Sequence, residues 1–66
     1  GEAFIRVLVY INKDGRVSVQ KVIDFSHGEF VNAVTSMAED SRFTSPMRNG
    51  QRVRSKYEWT IRIPFR

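Results

Sequence analysis

The sequence of 66 residues has no cysteine and a single histidine. Without cysteine there is no disulfide and no thiolate-bound metal ion, and one histidine among scattered carboxylates forms no evident metal-binding motif. No stretch approaches the roughly 20 apolar residues that span a bilayer, and no charged-then-apolar signal peptide opens the chain. We therefore expect no metal, no cofactor and no membrane-spanning segment within these residues.

Catalytic motifs are also missing. No Gly-rich phosphate loop and no Ser-His-Asp arrangement can be assembled, and the acidic residues show no pairing suited to general acid–base catalysis. A single domain of this size hides only about 60% of the surface of its unfolded chain, which leaves little material for a catalytic cleft. We expect that the chain is not an enzyme.

Charge is distributed unevenly along the chain, whose formal net charge is +4. Residues 1–41 carry 4 basic and 6 acidic side chains, a net charge of −2, whereas residues 42–66 carry 7 basic and 1 acidic, a net charge of +6. A basic C-terminal third attracts acidic partners, which include nucleic acid, acidic protein surfaces and anionic lipid.

The first 25 residues predict two strands joined by a tight turn. Ala3–Ile11 is rich in β-branched and aromatic residues on both faces, so we expect a central strand that is at least partly covered on both sides. Asp14 and Gly15 form a hairpin signal, because glycine accepts a positive φ without steric cost. In the second strand, Val17–Phe25, the alternation slips at Gln20–Lys21, which predicts a β-bulge.

A helix is predicted from about His27 to about Ser41. Ser26 and Glu29 have the spacing of a capping box, in which each side chain satisfies a free backbone N–H of the first turn. Apolar residues then recur at helical spacing and predict the buried stripe, which consists of Phe30, Ala33, Val34, Met37 and Ala38. We expect His27 to be a surface residue without a catalytic or ligand role.

The end of the chain predicts a connector and a long amphipathic strand. The connector, residues 42–51, contains Pro46 and an Asn49–Gly50 turn, and Phe43 is expected to pack beneath it. Pro64 lacks a ladder donor, so it indicates a sheet edge or a strand end. The predicted inner face of the strand consists of Val53, Ser55, Tyr57, Trp59, Ile61, Ile63 and Phe65.

These elements predict an α+β fold in which a three-stranded antiparallel sheet packs against one helix, in the order β-β-α-β. The first strand lies between the second and the last. The last strand is then a long edge with unpaired main-chain donors and acceptors.

The order of several short motifs resembles one family. The motifs lie in Gly1–Ile11, Asp14–Val17, Phe43–Pro46, Asn49–Val53 and Ile61–Phe65. Together they look like the C-terminal domain of TonB-like energy transducers, whose pattern has an Asp-Gly-Arg-Val turn, an aromatic residue and Pro in the connector, an Asn-Gly-x-x-Val turn and an Ile-x-Ile-Pro-Phe last strand. The family's element before the first strand, its membrane anchor and its Pro-rich spacer are not among these residues.

The resemblance implies both the fold and a function. Residues 1–66 would form a single TonB C-terminal-like domain, a fragment of a longer chain that is tethered to the inner membrane and reaches into the periplasm. Such domains bind a short peptide of an outer-membrane receptor by strand addition, and they transmit energy from inner-membrane motor proteins for transport. The family's last strand is the docking edge.

We therefore predict partner binding along the start of the last strand. Its main chain would bond the receptor peptide, and the side chains of Arg54 and Lys56 would favour an acidic segment. Tyr57 and Trp59 are expected to be core or cross-strand anchors. The predicted partner-binding residues are Arg52, Val53, Arg54, Ser55, Lys56, Tyr57, Glu58 and Trp59.

Three alternatives stay open at this point. The last strand can be an ordinary edge with solvated charges. Two copies can associate by strand pairing or exchange, which would hide Phe4, Leu8 and Tyr10. Alternating Arg54, Lys56 and Arg62 can also form a basic β-ribbon that binds nucleic acid, but that face lacks the exposed aromatics that stack on bases. We expect no nucleic-acid partner.

Overall fold

The computed structural model describes residues 1–66 and confirms the predicted α+β fold. Its main sheet is antiparallel with the strand order β2-β1-β5, so the first strand is central as predicted. A second, two-stranded hairpin, β3-β4, was not predicted. The elements are β1 (Glu2–Ile11), β2 (Val17–Phe25), a 3-10 turn (Gly28–Phe30), α1 (Val31–Asp40), β3 (Met47–Arg48), β4 (Gln51–Arg52) and β5 (Ser55–Pro64).

The core lies between β1 and α1. Alternate residues of β1 point toward the helix and are at most 5% exposed, and Val34 and Ala38 of α1 are buried against the sheet. The buried residues of β1 are Ala3, Ile5, Val7, Val9 and Ile11. No buried side-chain polar atom lacks a hydrogen-bond partner, so the apolar core carries no desolvation penalty of that kind.

The start of the helix differs from the prediction. The Ser26 hydroxyl accepts the N–H of Phe4 at 2.9 Å, and the Ser26 N–H donates to the Phe4 carbonyl at 3.0 Å. Ser26 therefore extends the β1–β2 ladder, and the predicted capping box with Glu29 is wrong. His27 occupies the N-cap position without a side-chain cap bond, and its ring packs against Phe65 with centroids 4.9 Å apart.

The predicted buried stripe of the helix is confirmed at Phe30, Val34 and Ala38 and is wrong at Ala33 and Met37. Ala33 is exposed and Met37 is 48% exposed, whereas Val31 is half-buried and Val34 and Ala38 are buried. Phe30 lies in the 3-10 turn, which winds more tightly than an α-helix, so its position does not fix the phase of α1.

Strand β2 is irregular. Its pairing with β1 shifts twice, which leaves Gln20 and Ile23 as extra residues. The shift at Gln20 confirms the predicted bulge, whereas the shift at Ile23 was not predicted. Bulges bend and twist a strand, so the outer edge of β2 is not flat.

Both predicted turns are present. The Gly15 N–H donates to the Asn12 carbonyl at 2.9 Å, and Gly15 has φ +84°. Asn49 and Gly50, with φ of 53° and 77°, join β3 to β4. Positive φ at both central residues is the signature of a type I′ turn.

The face of the sheet opposite α1 is covered by side chains and not by another element. Phe4, Leu8 and Tyr10 are half-buried there, and the guanidinium carbon of Arg54 lies 3.7 Å from the centre of the Tyr10 ring. The molecule is thin, with extents of 45 × 18 × 15 Å. Neither helical segment has the length and the apolar character that a membrane crossing needs.

Candidate functional site

Strand β5 forms one edge of the main sheet. Gly1 and Phe65 exchange two hydrogen bonds, from the Phe65 N–H to the Gly1 carbonyl at 2.9 Å and from the Gly1 amino group to the Phe65 carbonyl at 2.6 Å. In an antiparallel ladder the main-chain groups of alternate residues point to opposite sides. The odd-numbered residues of β5 therefore bond β1. The outward main-chain groups belong to Lys56, Glu58, Thr60 and Arg62.

Pro64 belongs to the same outward series. Its missing N–H would point away from β1, so the β1–β5 ladder loses no hydrogen bond at this position. The position of Pro64 at the end of β5 confirms the prediction that this residue marks a sheet edge or a strand end. The row of free N–H groups consequently ends at Arg62.

The two outer edges of the sheet differ in regularity. Strand β5 pairs with β1 through an unbroken register over ten residues, whereas β2 has two register shifts. At the end of β2, the Asp24 carboxylate accepts the N–H of Phe25 at 2.8 Å. At its start, an isolated bridge joins Arg16 to Arg42. Bulges and occupied main-chain groups hinder pairing, so β5 is the better template for a further strand.

The two faces of β5 carry different side chains. On the helix side, Trp59, Ile61 and Ile63 pack against the core. On the opposite face, the Glu58 carboxylate lies 3.9 Å from Arg6, and the Arg62 guanidinium lies 3.4 Å from the Glu2 carboxylate. These pairs are exposed, so each contributes little to stability.

A groove of about 350 Å³ lies next to β5 near its start. It exists because α1 packs mainly on β2 and β1 and leaves this part of β5 uncovered. Phe43 forms one wall, and its ring meets that of Trp59 edge-on with centroids 5.5 Å apart. The lining residues are Val9, Ile11, Phe43, Tyr57, Glu58 and Trp59.

The groove changes two expectations. Trp59 is half-buried against the core, as predicted, but Tyr57 is 60% exposed, so its prediction as a core anchor is wrong. Tyr57 lies opposite Val9 on the helix side of the sheet, and α1 packs mainly on β2 and β1. Phe43 is 41% exposed and lines the groove, instead of being enclosed beneath the connector.

The structure divides the predicted partner-binding residues into two groups. The first lies outside β5. Arg52 is in β4, the Val53 N–H donates to the Pro46 carbonyl at 2.8 Å, and Arg54 stacks on Tyr10. This group links the small hairpin to the sheet edge.

The second group, Ser55, Lys56, Tyr57, Glu58 and Trp59, lies on β5 itself. Within it, Lys56 and Glu58 direct main-chain groups outward. Thr60 and Arg62 continue the same outward row but were not among the predicted residues. The sequence contained a signal for them, because Pro64 marks the outward positions and the alternation can be counted back from it.

A helix on one face of a sheet and a regular edge strand whose outer side has no partner define a small α+β domain suited to protein interaction. A family model described as the Gram-negative bacterial TonB protein C-terminal matches residues 2–66. The chain therefore belongs to the TonB C-terminal family, which confirms the resemblance of its motifs. Comparisons with curated proteins and with solved structures gave no match.

Family membership establishes the general function. It implies a periplasmic domain of a TonB-type system that transduces energy for transport, with outer-membrane receptors and an inner-membrane complex as its partners. The family is a transport-associated interaction family and is not a known enzyme family.

Proposed function

We propose that β5 binds an extended segment of an outer-membrane receptor as an added strand. The domain then transmits energy from an inner-membrane motor through this strand pair. The observation that carries the proposal is the unbroken register of β5, whose outward main-chain groups have no partner strand, set against the bulged edge of β2.

The main chain of β5 supports modest, reversible binding. Four residues offer an outward N–H and carbonyl, and Pro64 ends the row of donors. Each hydrogen bond contributes about 0.5–1.5 kcal/mol net, because water must be displaced from both partners. Tension applied along paired strands loads several of these bonds together, which suits a domain that transmits force.

The side chains near the start of β5 favour an acidic segment. Arg54 and Lys56 both lie over the Tyr10 ring, at 3.7 and 5.9 Å from its centre, and neither forms an ion pair with a carboxylate. A carboxylate on the added strand would therefore meet cations that are already positioned and have no competing acidic partner.

The test compares Lys56→Pro with Lys56→Ala. Proline removes the outward N–H of Lys56 and blocks the approach of a strand, whereas alanine removes the charged side chain and keeps the N–H. We expect Lys56→Pro to abolish binding of synthetic receptor peptides in calorimetry and Lys56→Ala to weaken it a few-fold. Amide chemical shifts of Lys56, Glu58, Thr60 and Arg62 report docking at the edge.

Lys13→Pro is the matched control. Lys13 occupies the second position of the turn from Asn12 to Gly15, where proline is favoured, and it is not part of β5. This variant should bind the peptides with unchanged affinity. If folded Lys56→Pro binds as tightly as Lys13→Pro, the edge is not the docking site.

Self-association through the same edge is the second candidate. A two-fold axis at Thr60 would pair two β5 strands antiparallel and set Glu58 of one copy opposite Arg62 of the other, a favourable cross-strand pair. Dilution of the protein without peptide separates the two functions. Concentration-dependent shifts of the β5 amides would show that the edge serves a homodimer.

We also propose that an N-terminal segment of the full-length protein tethers this domain to the inner membrane and contacts the motor proteins. Membership in the TonB C-terminal family supports this arrangement. Nucleic-acid binding has no comparable support. The basic residues of the open face are interrupted by the pairs Arg6–Glu58 and Arg62–Glu2, which break up a continuous phosphate-binding stripe.

A further inference from the structure

The groove beside β5 is continuous with the proposed docking edge. Its walls are the exposed rings of Phe43 and Tyr57 together with the half-buried ring of Trp59, and its floor includes Val9 and Ile11 of β1. We propose that this groove is a subsite for one bulky apolar side chain, such as leucine or phenylalanine, of the segment added to β5. The inference rests on the proposed docking function.

Strand geometry determines which side chains of the segment reach the groove. An added strand lies about 4.8 Å from β5, and its alternate side chains point to the helix side of the sheet. A segment residue opposite Tyr57 or Trp59 therefore directs its side chain toward the groove. Its two chain neighbours point to the other face, beside Lys56 and Glu58 for a residue opposite Tyr57 and beside Glu58 and Thr60 for a residue opposite Trp59.

The chemistry of the lining selects an apolar occupant. Five of the six lining residues are hydrophobic, and the sixth, Glu58, pairs with Arg6 on the opposite face of the sheet. The groove therefore presents no set of converging polar groups to orient a polar ligand. Its volume of about 350 Å³ is near the lower end for ligand sites, which suits a side chain whose main chain lies outside on the edge.

The helix explains why the subsite is open at this place. Val34 and Ala38 of α1 are buried, and α1 packs mainly on β2 and β1, whereas Tyr57 near the start of β5 is 60% exposed. An apolar side chain from the segment would take the position over β5 that a longer or shifted helix would otherwise occupy. Burial of that side chain adds affinity to the main-chain bonds and selects among peptides of equal length.

The experiment uses a receptor peptide and versions in which one residue at a time is leucine or serine. Trp59 is the single tryptophan, so its fluorescence reports occupancy of the groove, while amide shifts of Lys56, Glu58, Thr60 and Arg62 report docking. At the helix-side position next to the groove, leucine should bind about tenfold more tightly than serine and shift Trp59 emission. At a neighbouring position, which faces the other side, the exchange should change affinity less than threefold.

Variants of the groove complete the test. Tyr57→Ser and Phe43→Ser change exposed walls and should bring the leucine-to-serine ratio of affinities close to one. Met37→Ser, at an equally exposed apolar residue of α1, should leave that ratio unchanged.

The outcomes separate the two proposals. In the unmodified protein, the edge amides can shift while the leucine-to-serine ratio of affinities stays near one. That result would overturn the subsite and leave docking intact. Absence of edge shifts with every peptide would overturn docking and the subsite together. A Trp59 change on dilution without peptide would show that a second copy fills the groove, which also overturns the proposed occupant.

Discussion

Gly15 is the glycine at which backbone conformation and surroundings together restrict substitution most. Its φ is +84°, a region that side-chain-bearing residues rarely adopt, and a Cβ would collide with the carbonyl oxygen of Phe43. The Phe43 N–H also donates to the Gly15 carbonyl at 2.9 Å. The Asn12–Gly15 turn therefore packs closely against the backbone of Phe43, whose ring forms a wall of the groove.

Gly50 provides a matched comparison, with φ +77° and nothing near its Cβ position. Gly50→Ala should lower the free energy of unfolding by about 1–2 kcal/mol, the cost of a left-handed conformation for alanine. Gly15→Ala should lower it by at least about 1 kcal/mol more, because the Phe43 segment must move as well. Urea titration followed by Trp59 fluorescence measures both. Equal losses would contradict the close contact at Gly15.

At the scale of elements, the sequence predicted each segment whose alternation is regular. Strand β5 follows from its period-two pattern, the central position of β1 follows from its two apolar faces, and the position of Pro64 indicates an edge or a strand end. Ala33 and Met37 were wrongly placed in the buried stripe of α1 because a 3-10 turn precedes the helix, and the second bulge was missed because Ile23 looks like an ordinary strand residue. The bulge depends on pairing between β1 and β2, and the 3-10 turn changes the helical period within three residues, so the apolar spacing alone contains neither feature.

The candidate site was predicted in part for the same reason. Pro64 indicates which residues of β5 point outward if the strand is an edge, but only the observed pairing with Gly1 and β1 establishes that edge. The groove requires three segments to meet, since Val9, Phe43 and Trp59 come from different parts of the chain. No short sequence motif predicts that these three segments lie next to one another.

The observed phase of α1 gives a prediction at this scale. Val34→Ala should destabilise the domain by about 2 kcal/mol, because a buried branched side chain leaves the contact with β1 and β2. Met37→Ala should change the free energy of unfolding by less than about 0.5 kcal/mol, since Met37 is 48% exposed. Urea titrations of both variants check this. A larger loss for Met37→Ala would favour the stripe predicted from the sequence.

At the scale of the whole molecule, small size makes each of these losses important. A domain of this length has a free energy of unfolding of about 3–10 kcal/mol at typical values per residue. Main-chain pairing at the edge adds contacts without demanding a larger core. A receptor segment that adds a strand and fills the groove would therefore stabilise the folded domain as well as bind it.

The excess positive charge of the C-terminal third is also a property of the whole molecule. Arg48 and Arg52 of the small hairpin, with Arg54 and Lys56, carry this charge to the start of β5, close to the groove. These side chains are exposed, so their attraction for an acidic segment acts through solvent and is screened by salt. The neutral hydrogen bonds of the edge are much less sensitive to salt. We therefore expect these charges to change the affinity for an acidic segment, whereas the main chain of β5 determines where the segment binds.

Salt titration separates these two contributions. Raising the salt from about 0.05 to 0.5 M should weaken binding of an acidic receptor peptide several-fold, because each exposed charge pair is worth only about 0–1 kcal/mol. The double variant Arg54→Ala with Lys56→Ala should lose most of this dependence and keep its edge amide shifts. Lys21→Ala, which removes an exposed charge from β2 at the far edge, should keep the full dependence. Calorimetry at three salt concentrations measures all three proteins, and identical slopes for the double variant and the unmodified protein would show that these cations do not face the bound segment.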